Sequence, residues 1–230
     1  MVKDYKAKLI KKEWKSEYTL IMNFECNEEV EFQAGQFINV ILPSKVARAY
    51  SISSSENKKR NFEILFGYYP GGKASEYFKA LNEGEEIKFK SPFGRFFMHP
   101  DNVANTIFVG TGTGIAPIKS MIDTLYENNK KNSNIYVFEG MREYKDAGYD
   151  KEFLKYQEMG FLKYELWCSR ENEEYKGNKG RVTEGLNRLD VDYKNTSVYI
   201  CGNKEVVLSL KEYFEKKGVD LTKIYFERFN

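Results

Sequence analysis

Histidine is all but missing from this chain: His99 is the only one in 230 residues. That scarcity argues against His-based metal sites and against Ser–His–Asp catalysis, both of which need imidazole beside other functional groups. His99 precedes Pro100 and reads as a loop residue. Cysteine is nearly as sparse, since Cys26, Cys168 and Cys201 are three in number and far apart in sequence. An odd, scattered set argues against a disulfide framework. A plant-type iron–sulfur cluster needs four thiolates, so an internal one is excluded. No metal site is expected. Nowhere is there an apolar run of the ~20 residues that a membrane-spanning helix requires, and the opening Met1–Lys8 has no hydrophobic stretch of a signal peptide. The chain is therefore expected to be soluble and cytoplasmic, with no membrane insertion. A surplus of one charge is missing too: 36 basic against 34 acidic residues leave a formal net charge of +2. That is too mild to argue for nucleic acid. There is no internal repeat and no low-complexity segment.

What is abundant is aromatic: 17 Tyr and 17 Phe, a content that favours pleated, half-buried surfaces. The first hundred residues read as short strands. Tyr18–Glu25 puts Leu20, Met22 and Phe24 on one face, Asn61–Phe66 does the same with Phe62, Ile64 and Phe66, and Gln36–Leu42 is nearly all apolar. Turn formers separate these runs at Pro43-Ser44, Glu56-Asn57, Pro70-Gly71-Gly72 and Asn82-Glu83-Gly84. Roughly six strands with one short helix near Ser75–Leu81 predict an antiparallel β-barrel over residues 1–100. After a linker at about residues 99–105 the rhythm changes. Strands are expected at Thr106–Val109, Ile135–Glu139, Leu162–Trp167, Ser197–Cys201 and Ile224–Glu227. Helices lie between them, including one with Ile115, Ile118, Ile122 and Leu125 inward and one over Lys204–Lys217. Strict alternation of β and α predicts a parallel, Rossmann-like α/β domain over 104–230, with its ligand at the carboxyl ends of the strands.

Three segments carry chemistry. Arg48-Ala49-Tyr50-Ser51 offers a cation, an aromatic plane and a hydroxyl at fixed intervals. Those groups suit an anionic, planar, hydrogen-bonding ligand such as a flavin nucleotide, with Arg48 on a phosphate. Alternation would put Arg48 and Tyr50 on one face and Ser51 on the other, so the segment is expected to bend around its ligand. Taken alone, the tetrapeptide equally fits an edge strand with a solvated Arg and a packed Tyr. Gly72-Lys73-Ala74-Ser75 opens a helix, and its free N–H groups with the Ser75 hydroxyl make an anion site; Ser75 also fits a plain N-cap. About sixty residues after Arg48–Ser51, Gly110-Thr111-Gly112-Thr113-Gly114-Ile115-Ala116-Pro117 stands between an apolar strand and an apolar helix. That is how a fold holds a pyrophosphate. It departs from the G-x-G-x-x-G order. Glu139, at the end of the next strand, would on generic grounds take a ribose diol and imply NAD.

The chain resembles the ferredoxin–NADP(+) reductase-like flavoenzymes of bacterial type. The resemblance spans nearly all of it. Besides the three segments above it rests on Pro92-Phe93-Gly94, Gly140-Met141-Arg142, Ser169-Arg170, Gly180-Arg181-Val182, Cys201-Gly202 and the tail Glu227-Arg228-Phe229, all in the family's order. The resemblance implies an enzyme that binds FAD through Arg48, Ala49, Tyr50, Ser51, Gly72, Lys73, Ala74, Ser75, Thr113 and Phe229. NADPH would lie along Gly110, Thr111, Gly112, Thr113, Gly114, Cys201 and Gly202. Arg142, Ser169, Arg170 and Arg181 would converge on its 2′-phosphate; against a bare ribose these cations would be surplus. NADPH is thereby favoured over NADH. Ser51, Cys201 and Glu227 are the implied catalytic residues, and they position and polarise rather than attack. Cys201 by itself also fits a buried structural thiol. The implied reaction carries a hydride from NADPH to flavin N5 and then single electrons to a separate carrier, ferredoxin or flavodoxin. Lys11-Lys12 and Lys130-Lys131 could help to dock an acidic one. The alternatives are an NADH-dependent reductase of a multicomponent oxygenase, a free-flavin reductase, and a nucleotide-sensing scaffold without turnover.

Overall fold

The structure, a computed structural model, describes residues 2–171 and 174–229. Its first sheet contains β1 (Lys3–Trp14), β2 (Thr19–Cys26), β3 (Phe37–Ile41), β4 (Ala47–Ser51), β5 (Asn61–Gly67) and β6 (Glu86–Phe93). They run antiparallel in the order β4-β3-β6-β1-β2-β5. An Ile52–Ile64 bridge joins the two edges and closes the barrel. Closure removes the exposed edges that would otherwise invite pairing with another chain. Leu20, Met22 and Phe24 meet Phe62, Ile64 and Phe66 in its core, and α1 (Lys73–Ala80) adds the fully buried Phe78. The alternate residues Ile21 and Leu65 point the other way, yet they are buried too. They pack into the core of the second domain, so this barrel wall is apolar on both faces.

The second sheet is parallel throughout. Its strands are β7 (Asn105–Thr111), β8 (Asn134–Met141), β9 (Lys163–Cys168), β10 (Asn178–Lys179), β11 (Thr196–Asn203) and β12 (Ile224–Phe229), ordered β10-β9-β8-β7-β11-β12. The two-residue β10 is not foreseen by hydrophobic pattern, because it has none: Asn178 and Lys179 become a strand only by pairing with Trp167 and Cys168. Helices α2 (Ile115–Glu127) and α3 (Asp150–Glu158) cover one face, while α4 (Val182–Arg188) and α5 (Lys204–Lys217) cover the other. Alternation along β7 divides its side chains between the two, Phe108 to one core and Ile107 and Val109 to the other. Local signals set the α5 limits: the Asn203 side chain accepts from Val206 N at 2.9 Å, and Gly218 ends the helix at φ 94°. The chain leaves β7 toward β8 on one side and returns to β11 on the other. The reversal opens a crevice at the carboxyl ends of β7 and β11, where open α/β sheets bind ligands.

Candidate active site

On the barrel side, β4 supplies Arg48 to Ser51. Arg48 and Ala49 are exposed, Tyr50 is half-buried and Ser51 is buried. The Arg48 guanidinium has one internal bond, Nη1 to its neighbour Ala47 O at 3.0 Å. Tyr50 is held edge-on to Phe78 and tilted against Phe66 at centroid distances of 5.2 and 5.6 Å. Ser51 pairs in register with Phe37, which in turn pairs with Phe93. Its Oγ is buried without a hydrogen-bond partner. A buried orphan hydroxyl costs about 1–3 kcal/mol unless a ligand satisfies it. That orphan is what a flavin edge would satisfy, so the residues present fit the cofactor.

The start of α1 differs from the N-cap reading. Gly72, not Ser75, holds the cap position, and no side chain caps the helix. Ser75 is buried and its Oγ accepts from Tyr69 N at 2.9 Å, which folds the turn that precedes the helix. Lys73 is exposed and Ala74 half-buried. Gly71, at φ 77°, has open space where a side chain would stand. The first N–H groups of α1 are thus free of side-chain caps and accessible to an anion.

On the other side, Thr111 ends β7 and Gly112–Gly114 form one tight helical turn before α2. Gly112 takes φ 57° and faces open space. Gly114 is obligatory for a different reason: a Cβ there would lie 2.3 Å from Cys201 O. A Cβ on Gly202 would lie 2.2 Å from Thr111 Oγ1. The glycine turn and the end of β11 therefore touch through backbone. Thr113 abuts the barrel, its Cγ2 lying 3.4 Å from the Cβ position of Gly67 at the end of β5. Gly110, Cys201 and Glu227 form one row across β7, β11 and β12. Glu227 Oε2 lies 3.2 Å from the Cβ position of Gly94, which also borders Phe37. Ser51, Phe37, Gly94, Glu227 and Cys201 thus succeed one another across the domain junction. Phe229 pairs with Asn203 and packs against the core that contains Cys201.

Burial pushes the Glu227 carboxyl up to about 7. Burial, with Glu227 adding to it, pushes the Cys201 thiol well above its usual value. Cys201 is therefore a neutral thiol rather than a nucleophilic thiolate, and Glu227 exchanges a proton near neutrality. Glu139 is fully buried, with Oε2 accepting from Tyr164 at 2.6 Å and Oε1 unpartnered. Burial pushes it up to about 7 against the Tyr164 hydrogen bond, and Asp150 and Glu152 add to the rise.

Arg142, Ser169, Arg170 and Arg181 are all exposed. Backbone pairing brings them side by side: Ser169 N donates to Met141 O, Arg170 N to Arg142 O and Gly180 N to Cys168 O. Their acidic neighbours are engaged elsewhere. Glu143 pairs with Lys145, Glu171 accepts from Tyr144 N, and Glu184 accepts from Arg181 N. Among the described residues none of the three guanidiniums makes an ion pair. The lysine pairs offered for docking are partly consumed: Lys12 Nζ donates to Lys79 O and Leu81 O, Lys131 Nζ to Gly160 O, and Lys11 pairs with Glu13. Pattern reading missed Lys119 and Asp123, an i,i+4 ion pair buried on the inward face of α2. Their charge at positions where the helical period calls for apolar side chains was the available signal.

The comparisons agree with the two-domain fold. The oxidoreductase FAD-binding domain family matches residues 6–98, and the oxidoreductase NAD-binding domain family matches residues 108–211. The ferredoxin–NADP reductase B of Sorangium cellulosum is 29% identical over 211 residues, covering 86% of this chain and 86% of that protein. The phenol hydroxylase P5 protein of Acinetobacter pittii is 27% identical over 240 residues, covering all of this chain and 66% of that protein. A crystal structure of a ferredoxin NADP+ reductase from Neisseria gonorrhoeae, with bound FAD and NADP, superposes at a TM-score of 0.84 with 18% identity over 98% of each chain. A barrel with a flavin seat, joined at its wall to a parallel sheet with a nucleotide crevice, defines an FAD- and nicotinamide-nucleotide-dependent reductase. The chain belongs to the ferredoxin reductase-like family of these oxidoreductases.

Proposed function

We propose that this reductase draws on NADPH and passes electrons singly to a small carrier protein, ferredoxin or flavodoxin. Residues 1–100 serve as the FAD-binding unit and 104–230 as the nucleotide-binding unit. The observation that carries the coenzyme assignment is the group of three exposed arginines on adjoining loops, Arg142, Arg170 and Arg181, none of which makes an ion pair among the described residues. Cations so grouped suit a phosphate and would be surplus against a ribose diol. The rival acid, Glu139, is buried beneath Tyr164 and poorly placed to reach a ribose. Bound FAD supplies the coupling between a two-electron donor and a one-electron acceptor.

The side chains then have separate tasks. Arg48 and the open N–H groups of α1 hold pyrophosphate, Tyr50 backs the flavin plane, and Ser51 offers its unpartnered hydroxyl to the ring edge. Thr113 stands between the two seats. Gly110 to Gly114 and Gly202 leave room for the nicotinamide nucleotide, with the small neutral Cys201 beneath it. Glu227 holds a proton close by, and Phe229 keeps water from the ring. Three cysteines are one short of an iron–sulfur ligand set, which supports an acceptor outside these 230 residues. Three free thiols suit a reducing cytoplasm, and the similarity to a ferredoxin–NADP reductase supports the carrier class.

Anaerobic stopped-flow with each nucleotide tests the proposal. Wild type should be reduced preferentially by NADPH. Arg170→Ala should raise the NADPH KM about tenfold, leave kcat nearly unchanged and leave NADH untouched, because a phosphate–arginine contact is worth about 1–3 kcal/mol in ground and transition states alike. A wild-type preference for NADH would overturn the proposal. It would favour the second reading, the reductase component of an oxygenase, for which the similarity to a phenol hydroxylase protein speaks.

A further inference from the structure

A buried polar joint holds the two domains together. Lys119 lies one third of the way along α2, on a face otherwise occupied by Ile115, Ile118 and Ile122. It is 8% exposed. Its Nζ is 2.7 Å from Asp123 Oδ2 on the same helix. Across the domain boundary it lies 3.4 Å from Ser53 O and 3.6 Å from Glu63 Oε1. The Tyr149 ring stacks under it at 4.8 Å. Neighbouring bonds cross the same boundary. Ser120 Oγ donates to Ser54 O at 2.6 Å, Tyr149 OH donates to Ser53 Oγ at 2.7 Å, and Glu56 N donates to Thr124 Oγ1 at 3.1 Å. Ser53 Oγ in turn donates to Glu63 Oε1 at 3.1 Å. Burial alone would lower the Lys119 pKa, but Asp123 and Glu63 outweigh it and hold the ammonium charged.

An apolar side chain would bury this surface at no electrostatic cost, so a charged one is retained for what it orients rather than for stability. What it orients is short and stiff. Ser53 stands two residues beyond Ser51. Lys119 stands in α2 six residues beyond Thr113, which lies in the tight turn that opens that helix. We propose that Lys119, with Ser120 and Tyr149, is a positioning residue that locks the nucleotide-binding domain onto the Ser53–Ser55 segment and so sets the separation between the Ser51 seat and the Cys201 seat. This rests on the reading above that flavin and nicotinamide meet between those two residues. Ring-to-ring transfer is steep in distance, and a misplacement of about 1 Å costs about a hundredfold.

The test compares wild type with Lys119→Met, Lys119→Arg and the double variant Ser120→Ala/Tyr149→Phe, which removes two cross-domain bonds while leaving Lys119 paired. In the apoprotein, ¹⁵N relaxation should give one tumbling time for both domains of wild type and two distinct times for Lys119→Met and the double variant. Loaded with FAD, these variants should keep wild-type flavin occupancy and NADPH KM. Their flavin reduction at saturating NADPH should slow at least tenfold, with a weaker long-wavelength charge-transfer band. Lys119→Arg should recover most of the rate. Should Lys119→Met not fold, the double variant carries both measurements. One tumbling time shared by both domains, or a wild-type reduction rate, in the folded variants would overturn the proposal. Wild type that neither NADPH nor NADH reduces would sink the functional reading instead, while the apoprotein tumbling would still report on the joint.

Discussion

Glu139→Gln separates two accounts of the same residue. A generic dinucleotide-binding argument makes Glu139 a ribose ligand; the structure buries it completely with one oxygen on Tyr164 and the other unpartnered. In the unfolded chain this carboxyl ionises near its ordinary 4.5, whereas in the fold it is held up to about 7. Below pH 4.5 it is protonated in both states and contributes no difference. As the pH rises from 4.5 to 7, the unfolded chain loses the proton and the folded chain keeps it. Stability then falls by about 1.4 kcal/mol per pH unit, levelling off above pH 7 at a cost of about 3 kcal/mol. Gln keeps the acceptor for Tyr164 and cannot ionise. The variant should therefore match wild type at pH 4.5 and exceed it by about 3 kcal/mol at pH 8. For a chain of this size that is about 6–12 °C in Tm. Thermal and urea unfolding across pH 4.5–8.5 would measure it, with NADPH and NADH kinetics run in parallel. The same pH slope in variant and wild type would refute the burial argument. A selective loss of NADH use would return Glu139 to the ribose.

Among the described residues the exposed Arg48 has no internal partner beyond the backbone of Ala47. Arg48→Ala should leave folding intact and weaken flavin by about ten- to a hundredfold, so the protein purifies pale; full flavin occupancy would remove Arg48 from the site. Ser51→Ala should keep flavin and slow its reduction, because it deletes a hydroxyl that has no structural partner; an unchanged rate would show that the orphan hydroxyl has no part in the reaction. In wild type the pH profile of flavin reduction should inflect near pH 7, where the half-buried Glu227 gives up its proton, and Glu227→Gln should flatten it. Gly114→Ala places a Cβ 2.3 Å from Cys201 O. Such overpacking costs about 1–3 kcal/mol, so an undiminished Tm would mean that the turn and β11 do not meet as described.

Periodicity was enough to divide this chain. Period-2 runs such as Leu20, Met22 and Phe24, and period-3.6 runs such as Val207, Leu210 and Phe214, each encode their own buried face, and every expected strand of the second half lies where its apolar run does. The glycine turn was legible for the same local reason, because a strand, a tight turn and a helix follow one another without a gap. Other features depend on partners remote in sequence. β10 exists only through β9. The burial of Ile21 and Leu65, which alternation alone would send to solvent, needs a second domain to cover them. Glu139 changed meaning once Tyr164 lay over it, since an acid at a strand end is a ligand when wet and a neutral carboxyl when dry. Lys119 draws no reading from the apolar pattern of its helix, and in the fold it lies across the domain boundary from Glu63 and Ser53. Residue types and spacing therefore determined the two-domain fold and marked two candidate nucleotide seats. Tertiary packing decided which polar groups stay exposed at the candidate seats and which are sealed between the domains, because desolvation and distance belong to the neighbours and not to the residue.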